Sequence, residues 1–428
     1  MAYMWGRTIW LLAAAASAAP VAAQITDPTA RARVEQQLGA AVAEQDAAYR
    51  AADKARAYAI GSRVVALFCQ RDGPASPGCA TANHNWGASL LWQERYGEAV
   101  DAFRRALAIA DANGTDAAAT VDMLLQATEK AGDFTALIPL RERQLRKAEA
   151  AGGASSDAAI LTRRLLTSDL MRLQRHADAE VQARRTWTLL GARFGPNHPE
   201  TVQSAGAMVT LLFLLGRIDE AGDFADRALN GALVAFGPAA SETGRAWQTV
   251  GGMRRHRGEY DAAIDAYRSA LVAFDANGER FPDDRILTLV NMAECLEAMG
   301  RYAEAEPFRS RAVVEPKAHA HNIPAYRIDL GRNLIAQGKV PEGRAMIAEE
   351  TARQVAIDPS AGARLASMRF ALAQADLAAG DAAAARRAIE NALAAPAAAN
   401  WPEGQKRRAR ALLAEAKART GDTVGAEA

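Results

Sequence analysis

Apolar and polar residues alternate along most of this 428-residue chain with the spacing of an α-helix. Ala263, Tyr267 and Ala270 follow one another at intervals of four and three residues, and the same spacing recurs from Ala99 to Ala106. Residues three or four positions apart share one face of a helix, so each such segment has an apolar side and a polar side. Short stretches with glycine and proline separate the segments. The pattern predicts an all-α protein.

The helical segments also repeat. The hexapeptides Gly216–Ala221, Gly258–Ala263 and Gly300–Ala305 share one pattern, and their last residues stand 42 positions apart. We name this last residue the small position. At intervals of 42 or 38 residues the same frame places it at Ala99, Leu137, Ala179, Gly343 and Ala385. The frame predicts eight helix pairs, in which a glycine ends the first helix and an acidic residue favours the start of the second helix.

A second small residue precedes the small position by twelve residues in several units. These residues are Gly87, Gly251, Ala293, Gly331 and Ala373. Small residues on both helices allow close antiparallel packing of a pair. The pairs are then expected to stack in series, because one pair alone cannot bury its apolar face.

The segment Trp247–Gly251, followed by Tyr260, Ala263 and Tyr267, resembles the signature of the tetratricopeptide repeat. The joints at 194–201 and 236–243 repeat with an offset of 42, and this longer form is similar to the repeats of kinesin light chains and their bacterial relatives. The resemblance implies a right-handed α-α superhelix, a tetratricopeptide solenoid whose hollow side binds protein. Three residues depart from the pattern: Arg254, Leu137 and Gly343.

Four segments are predicted along the chain. Residues 1–23 are a signal peptide, 24–81 an N-terminal helical cap with a cysteine loop, 82–400 the array of about eight helix pairs, and 401–428 a C-terminal capping helix. Terminal caps with a polar outer face are usual in solenoids.

The first 23 residues have the pattern of an export signal. Arg7 precedes the short apolar run 8–16, and small residues at 21–23 suit cleavage before Gln24. The alternatives are an alanine-rich helix or an uncleaved anchor. Export predicts a periplasmic or secreted protein, with no integral membrane segment after cleavage.

Two of the three cysteines, Cys69 and Cys79, flank a loop-like stretch and are predicted to form a disulfide after export. A redox or metal pair is the alternative, but C-x-x-C spacing is missing. Cys295 lies within a helical pattern and is predicted to be a small buried residue rather than a nucleophile.

Composition and motifs argue against several functions. Lys and Arg total 51 and Asp and Glu total 50, which leaves no basic excess for nucleic acid. His319 and His321 are the only neighbouring histidines, and without other ligands they make a poor zinc site. His198 lies in a joint and is predicted to cap or pack there. Nucleotide-binding and hydrolase motifs are missing. We therefore predict neither an enzyme nor a cofactor.

The first helices of the predicted solenoid line its hollow side, and their exposed positions lie about eleven, eight and seven residues before the small position. The partner-binding candidates at these positions are Gln126, Met171, Arg172, Phe213, Arg255, His256, Glu294 and Arg332. Simple solvated side chains are the alternative. Within the basic cluster 254–257, the alternative is that the arginines cap a helix and pair with acids of adjacent units.

These observations predict an exported, non-catalytic scaffold that binds a protein or peptide in its groove. A structural protein of the envelope that self-associates is one alternative, and a cryptic hydrolase is another.

Overall fold

The computed structural model describes residues 25, 27–315, 323–358, 362–394, 399, 401 and 403–422. Across these ranges it contains nineteen α-helices, one short 3₁₀ turn and no β-strand, so the all-α prediction is confirmed for them. The predicted signal peptide, the histidines at 319 and 321, and the final residues lie outside the described residues.

Backbone packing divides the chain into unit 1, which ends at Leu189, and unit 2, which begins at Leu190. The helices of unit 1 are α1 (Pro28–Arg50), α2 (Lys54–Asp72), α3 (Pro77–Trp92), α4 (Tyr96–Ala112), α5 (Ala118–Ala131), α6 (Phe134–Gly152), α7 (Asp157–Arg172) and most of α8 (His176–Phe194).

Unit 2 follows the same plan of consecutive helices. Its helices are α9 (Pro199–Leu214), α10 (Ile218–Phe236), α11 (Ser241–His256), α12 (Tyr260–Ala276), α13 (Pro282–Ala298), α14 (Tyr302–Val314), α15 (Ile323–Ala336), α16 (Val340–Ile357), α17 (Gly362–Ala378), α18 (Ala382–Ala394) and α19 (Glu403–Arg419). From α3–α4 to α17–α18 these helices form the eight predicted pairs.

The turns within the pairs have the predicted geometry. Gly216, Gly258 and Gly300 have φ values of 74°, 78° and 73°, in the left-handed region that favours glycine. In three other pairs the same turn position holds a residue with a side chain. Ala52, Glu94 and Gln174 occupy it with φ of 53°, 62° and 56°. The turn is therefore retained where the glycine is not.

Glycines on the first helix make room for large side chains on the second helix. A Cβ added at Gly87 would lie 2.7 Å from the Phe103 ring, one at Gly251 would lie 2.6 Å from the Tyr267 ring, and one at Gly331 would lie 2.7 Å from Ile347. Phe103, Tyr267 and Ile347 are all fully buried. The small residues are thus the places where the core of each pair is tightest.

Packing also explains the three departures from the repeat pattern. Leu137 is fully buried at its small position. Gly343 packs so closely on α15 that a Cβ would lie 2.4 Å from the carbonyl oxygen of Gly331. The Nη1 of Arg254 donates a hydrogen bond of 3.2 Å to the carbonyl oxygen of Ala262, which holds α11 against α12.

The predicted N-terminal cap is itself a helix pair, and α3 begins at Pro77, inside the segment assigned to the cap. Ala57 stands 42 residues before Ala99 and is fully buried, so the repeat frame extends to α1 and α2. The predicted C-terminal capping helix corresponds to α19, which packs on α18 and α17.

The joint at 194–201 supports the start of α9. The Nδ1 of His198 accepts a hydrogen bond of 3.3 Å from the backbone N–H of Glu200, and its ring stacks on Phe194 with centroids 4.4 Å apart. The prediction that His198 caps or packs at the joint is confirmed.

Candidate functional site

The strongest candidate surface in unit 2 lies on its first helices α9, α11, α13 and α15. We name it the first-helix face of unit 2. Five predicted partner-binding residues belong to it: Phe213, Arg255, His256, Glu294 and Arg332. All five lie in the last two turns of their helices. These are the positions that the repeat frame predicts.

Arg255 and Glu294 join two neighbouring first helices. The Nη1 of Arg255 donates to Oε2 of Glu294 at 2.6 Å, and both side chains are partly exposed. A pair exposed to this degree contributes at most about 1 kcal/mol, because water screens it. Arg255 is therefore positioned by Glu294 rather than held as an isolated cation.

The other arginines of the basic cluster are also engaged within the chain. Arg254 binds the carbonyl oxygen of Ala262, and the Nη2 of Arg257 donates to the carbonyl oxygen of Asp219 at 2.9 Å. The structure therefore supports the alternative interpretation of this cluster, in which its arginines pair with adjacent elements.

Phe213 and His256 form an aromatic step on this face. Their ring centroids are 4.6 Å apart with an interplanar angle of 56°. Burial, assisted by the positive charge of Arg255, lowers the pKa of His256 below its usual value. The imidazole is thus neutral near pH 7 and adds flat, weakly polar surface to the Phe213 ring.

Between this step and Glu294 the surface has a gap in its side chains, at Gly252. A Cβ added to Gly252 would lie 3.9 Å from the hydroxyl of Tyr267. That hydroxyl is buried beside the Arg255 side chain, and neither the hydroxyl nor the Nε of Arg255 has a partner elsewhere among the described residues. Because a phenolic oxygen accepts as well as donates, the Arg255 guanidinium is placed to donate towards Tyr267. We name Gly252, Arg255 and Tyr267 the glycine niche.

The groups around the niche do not favour nucleophilic chemistry. Burial raises the pKa of Tyr267 to about 12 and that of the Cys295 thiol to about 11. Cys295 is fully buried, which confirms its prediction as a small core residue. A buried thiol with a raised pKa is a poor nucleophile at neutral pH.

The three remaining candidates lie on unit 1. Gln126 is exposed on α5, and Met171 is half-buried on α7. Arg172 lies 3.8 Å from Oε1 of Glu129 and its guanidinium lies over the Phe134 ring, 5.2 Å from the centroid. All three residues belong to the surface of unit 1.

Sequence reasoning missed several residues of the same surface in unit 1. Leu161 and Leu165 are 59% and 39% exposed, and with Arg172 they share one face of α7. Their spacing of four residues was available as a signal. Asp46 and Tyr49 on α1 were missed because the first helix pair was assigned to a cap.

Cys69 and Cys79 are bonded to each other in the structure, with Cα atoms 4.5 Å apart. The side chain of Asn83 covers the pair and donates to the carbonyl oxygen of Cys79 at 2.9 Å. Whether the bond forms in the protein's own compartment stays a prediction.

The described ranges hold neither a candidate metal site nor a candidate membrane-spanning helix. No group of three or more His, Cys, Asp or Glu side chains is arranged there to hold a metal ion. No helix in those ranges has the length and apolarity needed to cross a membrane.

No protein-family model matches the chain, and no curated protein matches it. Solved structures do match. A signal transduction ATPase with numerous domains from Pyrococcus horikoshii, which has a tetratricopeptide repeat sensor, is 14% identical with a TM-score of 0.51; the match covers 86% of this chain and 52% of that one.

Two further structures match with lower TM-scores. A tetratricopeptide repeat protein from Parabacteroides merdae is 15% identical with a TM-score of 0.43, over 68% of this chain and 96% of that one. A putative kinesin light chain from Podosopora anserina with nearly identical repeats is 13% identical with a TM-score of 0.42, over 46% and 95%. Identities this low show the fold alone. In helix pairing, turn geometry and small-residue packing, the chain has the fold of the tetratricopeptide repeat proteins.

Proposed function

We propose that the chain is an exported, non-catalytic scaffold that binds a peptide segment of a partner protein on the first-helix face of unit 2. The peptide lies across Gly252, with its apolar anchor against the step formed by Phe213 and His256. The contact between Phe213 and His256 carries this proposal, because it places an aromatic surface on the first-helix face next to a helix position, Gly252, that has no side chain.

The glycine niche gives a peptide backbone room to approach α11. A Cβ at residue 252 would meet only the Tyr267 hydroxyl within 4 Å, at 3.9 Å, so the surface above this position is open. Glycine at 252 suits such an approach, because the absence of a side chain lets another backbone come close.

The surroundings of the niche favour a peptide with mixed character. Phe213 and the exposed Leu214 offer apolar contact on one side. Glu294 and the exposed Arg332 offer charges of both signs on the other side. Large apolar anchors near polar groups are typical of the residues that dominate binding energy.

Selection from a displayed library of random twelve-residue peptides tests the proposal. Purified wild-type chain is the bait, and the decisive variant is Gly252→Leu, which fills the niche. Leucine favours helix more than glycine does, and its Cβ has space, so this variant is expected to fold at least as well as the wild type. We expect peptides selected on the wild type to lose at least tenfold in affinity for Gly252→Leu and for Phe213→Ser.

Val272→Ser is the matched control, because Val272 is 69% exposed on the second helix α12, away from the niche. Val272→Ser should bind every selected peptide with the affinity of the wild type. The proposal is refuted if no peptide is enriched, or if Gly252→Leu binds the selected peptides as the wild type does. Light scattering on the same samples tests self-association, since dimers that Gly252→Leu disrupts would identify a second copy as the occupant of this face.

Export is proposed from the pattern of residues 1–23 and from the proximity of Cys69 and Cys79. Two measurements test it. Mass spectrometry of protein from fractionated cells should find Gln24 at the amino terminus of the exported form. Thiol titration under denaturing conditions should find one free thiol of three, that of Cys295. Cytosolic protein that retains Met1, or three free thiols, would contradict the proposal.

A further inference from the structure

A cavity of about 830 Å³ lies in unit 2 between α16, α17 and α18, outside the first-helix face. Short side chains create it: Ala345 and Ala348 on α16 lie opposite Ala384 and Ala388 on α18. In α12 the positions that correspond to Ala345 and Ala348 hold Asp265 and Arg268. The volume falls in the range typical of small-molecule sites.

The polar lining of this cavity has an excess of positive charge. Three arginines line it, Arg344, Arg369 and Arg387, against one carboxylate, that of Asp376. Arg344 is fully engaged: its Nε donates to Asp376 at 2.6 Å and its Nη2 donates to Asp381 at 3.0 Å. With Asp381 included, the cavity still carries one more cation than anion.

Arg369 and Arg387 have no hydrogen bond or ion pair of their own to any described residue. Arg387 is exposed and acts at longer range, where its charge works to lower the pKa of both Asp376 and Asp381. Arg369 is half-buried on α17. Its charge therefore lies at the cavity without a counter-ion from the described residues and is available to an anion.

The repeat frame shows what kind of anion Arg369 lacks. Arg163, Arg327 and Arg369 all stand sixteen residues before the small position of their pair. Arg163 is buried and bonds Glu149 of the preceding second helix. The Nε of Arg327 lies 3.0 Å from Oε2 of Glu350, on the second helix of its own pair. In both cases a carboxylate of the chain neutralises the arginine.

Arg369 has neither of these partners. The position that corresponds to Glu149 holds Val355, and the position that corresponds to Glu350 holds Ala392. Asn391, which corresponds to Glu349, lines the cavity with a neutral amide. The carboxylate that the other two pairs supply from within the chain is thus replaced here by an open cavity.

We propose that this cavity binds a ligand that has a carboxylate and an apolar body. The carboxylate takes the place of the missing glutamate between Arg369 and Arg387, since guanidinium groups bind carboxylates with two parallel hydrogen bonds. The apolar body lies against Leu372 and the alanines of α16 and α18. The source is either a free aliphatic carboxylic acid or the acidic side chain of a peptide.

Titration calorimetry on the full chain tests the proposal with four probes. Decanoate represents the free acid, and a blocked hexapeptide of alternating Leu and Glu represents the peptide source. Decanol and decylamine keep the apolar body without the negative charge. We expect at least one carboxylate probe to bind, at least tenfold more tightly than decanol or decylamine, and the tighter of the two carboxylates identifies the source.

Three variants complete the test. Arg369→Gln and Arg387→Gln should each weaken the bound carboxylate at least tenfold, whereas Arg353→Gln, on α16 but outside the cavity lining, should not. Asn391→Glu restores the carboxylate that Glu349 provides in the preceding pair, so it should raise the thermal midpoint and weaken the probe. The proposal is overturned if neither carboxylate binds, if the uncharged probes bind equally well, or if Asn391→Glu leaves the affinity unchanged.

Discussion

Gly251→Ala adds one methyl group at the tightest contact between α11 and α12. The new Cβ would lie 2.6 Å from Cε1, 2.8 Å from Cδ1 and 2.9 Å from Cζ of Tyr267. Carbon atoms in good contact are about 3.5–4.0 Å apart, so the ring must retreat by about 1 Å. Tyr267 is fully buried, and the close-packed core leaves it little room to move.

The cost can be separated from helix propensity by a matched substitution. Gly206→Ala makes the same change inside α9, where a Cβ would meet nothing within 4 Å. Both variants gain about 1 kcal/mol from replacing glycine by alanine within a helix. Only Gly251→Ala also overpacks the core, at a cost of about 1–3 kcal/mol. The difference between the two variants therefore reports the overpacking alone.

Amide hydrogen exchange on the native chain is the suitable assay, because long repeat arrays do not unfold in one cooperative step. Gly206→Ala should leave amide hydrogen exchange in α9 as slow as in the wild type, or make it slower. The overpacking cost of about 1–3 kcal/mol, less the gain of about 1 kcal/mol, leaves a net loss of up to about 2 kcal/mol, so Gly251→Ala should speed the exchange of the slowest amides of α11 and α12 by up to roughly 30-fold.

A second substitution identifies the atoms responsible. Tyr267→Leu removes the ring that Cβ would strike, so Gly251→Ala should cost less in that background than in the wild type. If Gly251→Ala protects α11 and α12 as Gly206→Ala protects α9, or if Tyr267→Leu does not reduce its cost, the packing argument for the small positions is wrong.

Three further predictions concern stability. Arg285 and Glu315 form an ion pair with both side chains only 5% exposed, so Glu315→Ala should destabilise unit 2 by about 3–5 kcal/mol through the unpaired cation, as measured by exchange in α13. Burial lowers the pKa of His84, so the unfolded chain binds a proton more readily than the folded chain does; the thermal midpoint of unit 1 should fall as the pH drops below about 6.5, and His84→Asn should flatten that slope. Gln174 adopts a φ of 56°, so Gln174→Gly should stabilise the α7–α8 turn by about 1 kcal/mol, whereas a lower midpoint would refute the strain argument.

The fold was predictable from the sequence because its determinants are local. The spacing of apolar residues and the turn glycines act within one helix pair, and a small residue such as Gly251 constrains only the partner helix next to it. The first pair escaped this logic, since Ala52 stands where Gly258 and its equivalents mark the turn. Glu94 and Gln174 also replace the glycine, but in those pairs an acidic residue still precedes the small position, whereas Arg56 precedes Ala57, so the hexapeptide was not recognisable.

The candidate site was predictable only as a list of exposed positions. The repeat frame placed Phe213 and His256 on the first helices, but their contact depends on the stacking of two pairs. Arg255 and Glu294 were each predicted as partner-binding candidates, but their contact with each other was not predicted. Which charges remain available is decided by side chains in neighbouring repeats, at sequence separations that a single-pair pattern does not constrain.

The repeat itself supplies a way to find such charges once the structure gives the pairings. Equivalent positions in different pairs have the same backbone surroundings, so a charged residue that is neutralised in two pairs and not in a third points to an external partner. Arg163 and Arg327 each pair with a carboxylate of the chain, whereas Arg369 lines a cavity. Water can also solvate an arginine at an open cavity, so the missing carboxylate alone does not distinguish a binding site from a lost contact. The Asn391→Glu variant makes that distinction, because an added glutamate competes with the carboxylate probe only where Arg369 holds that probe.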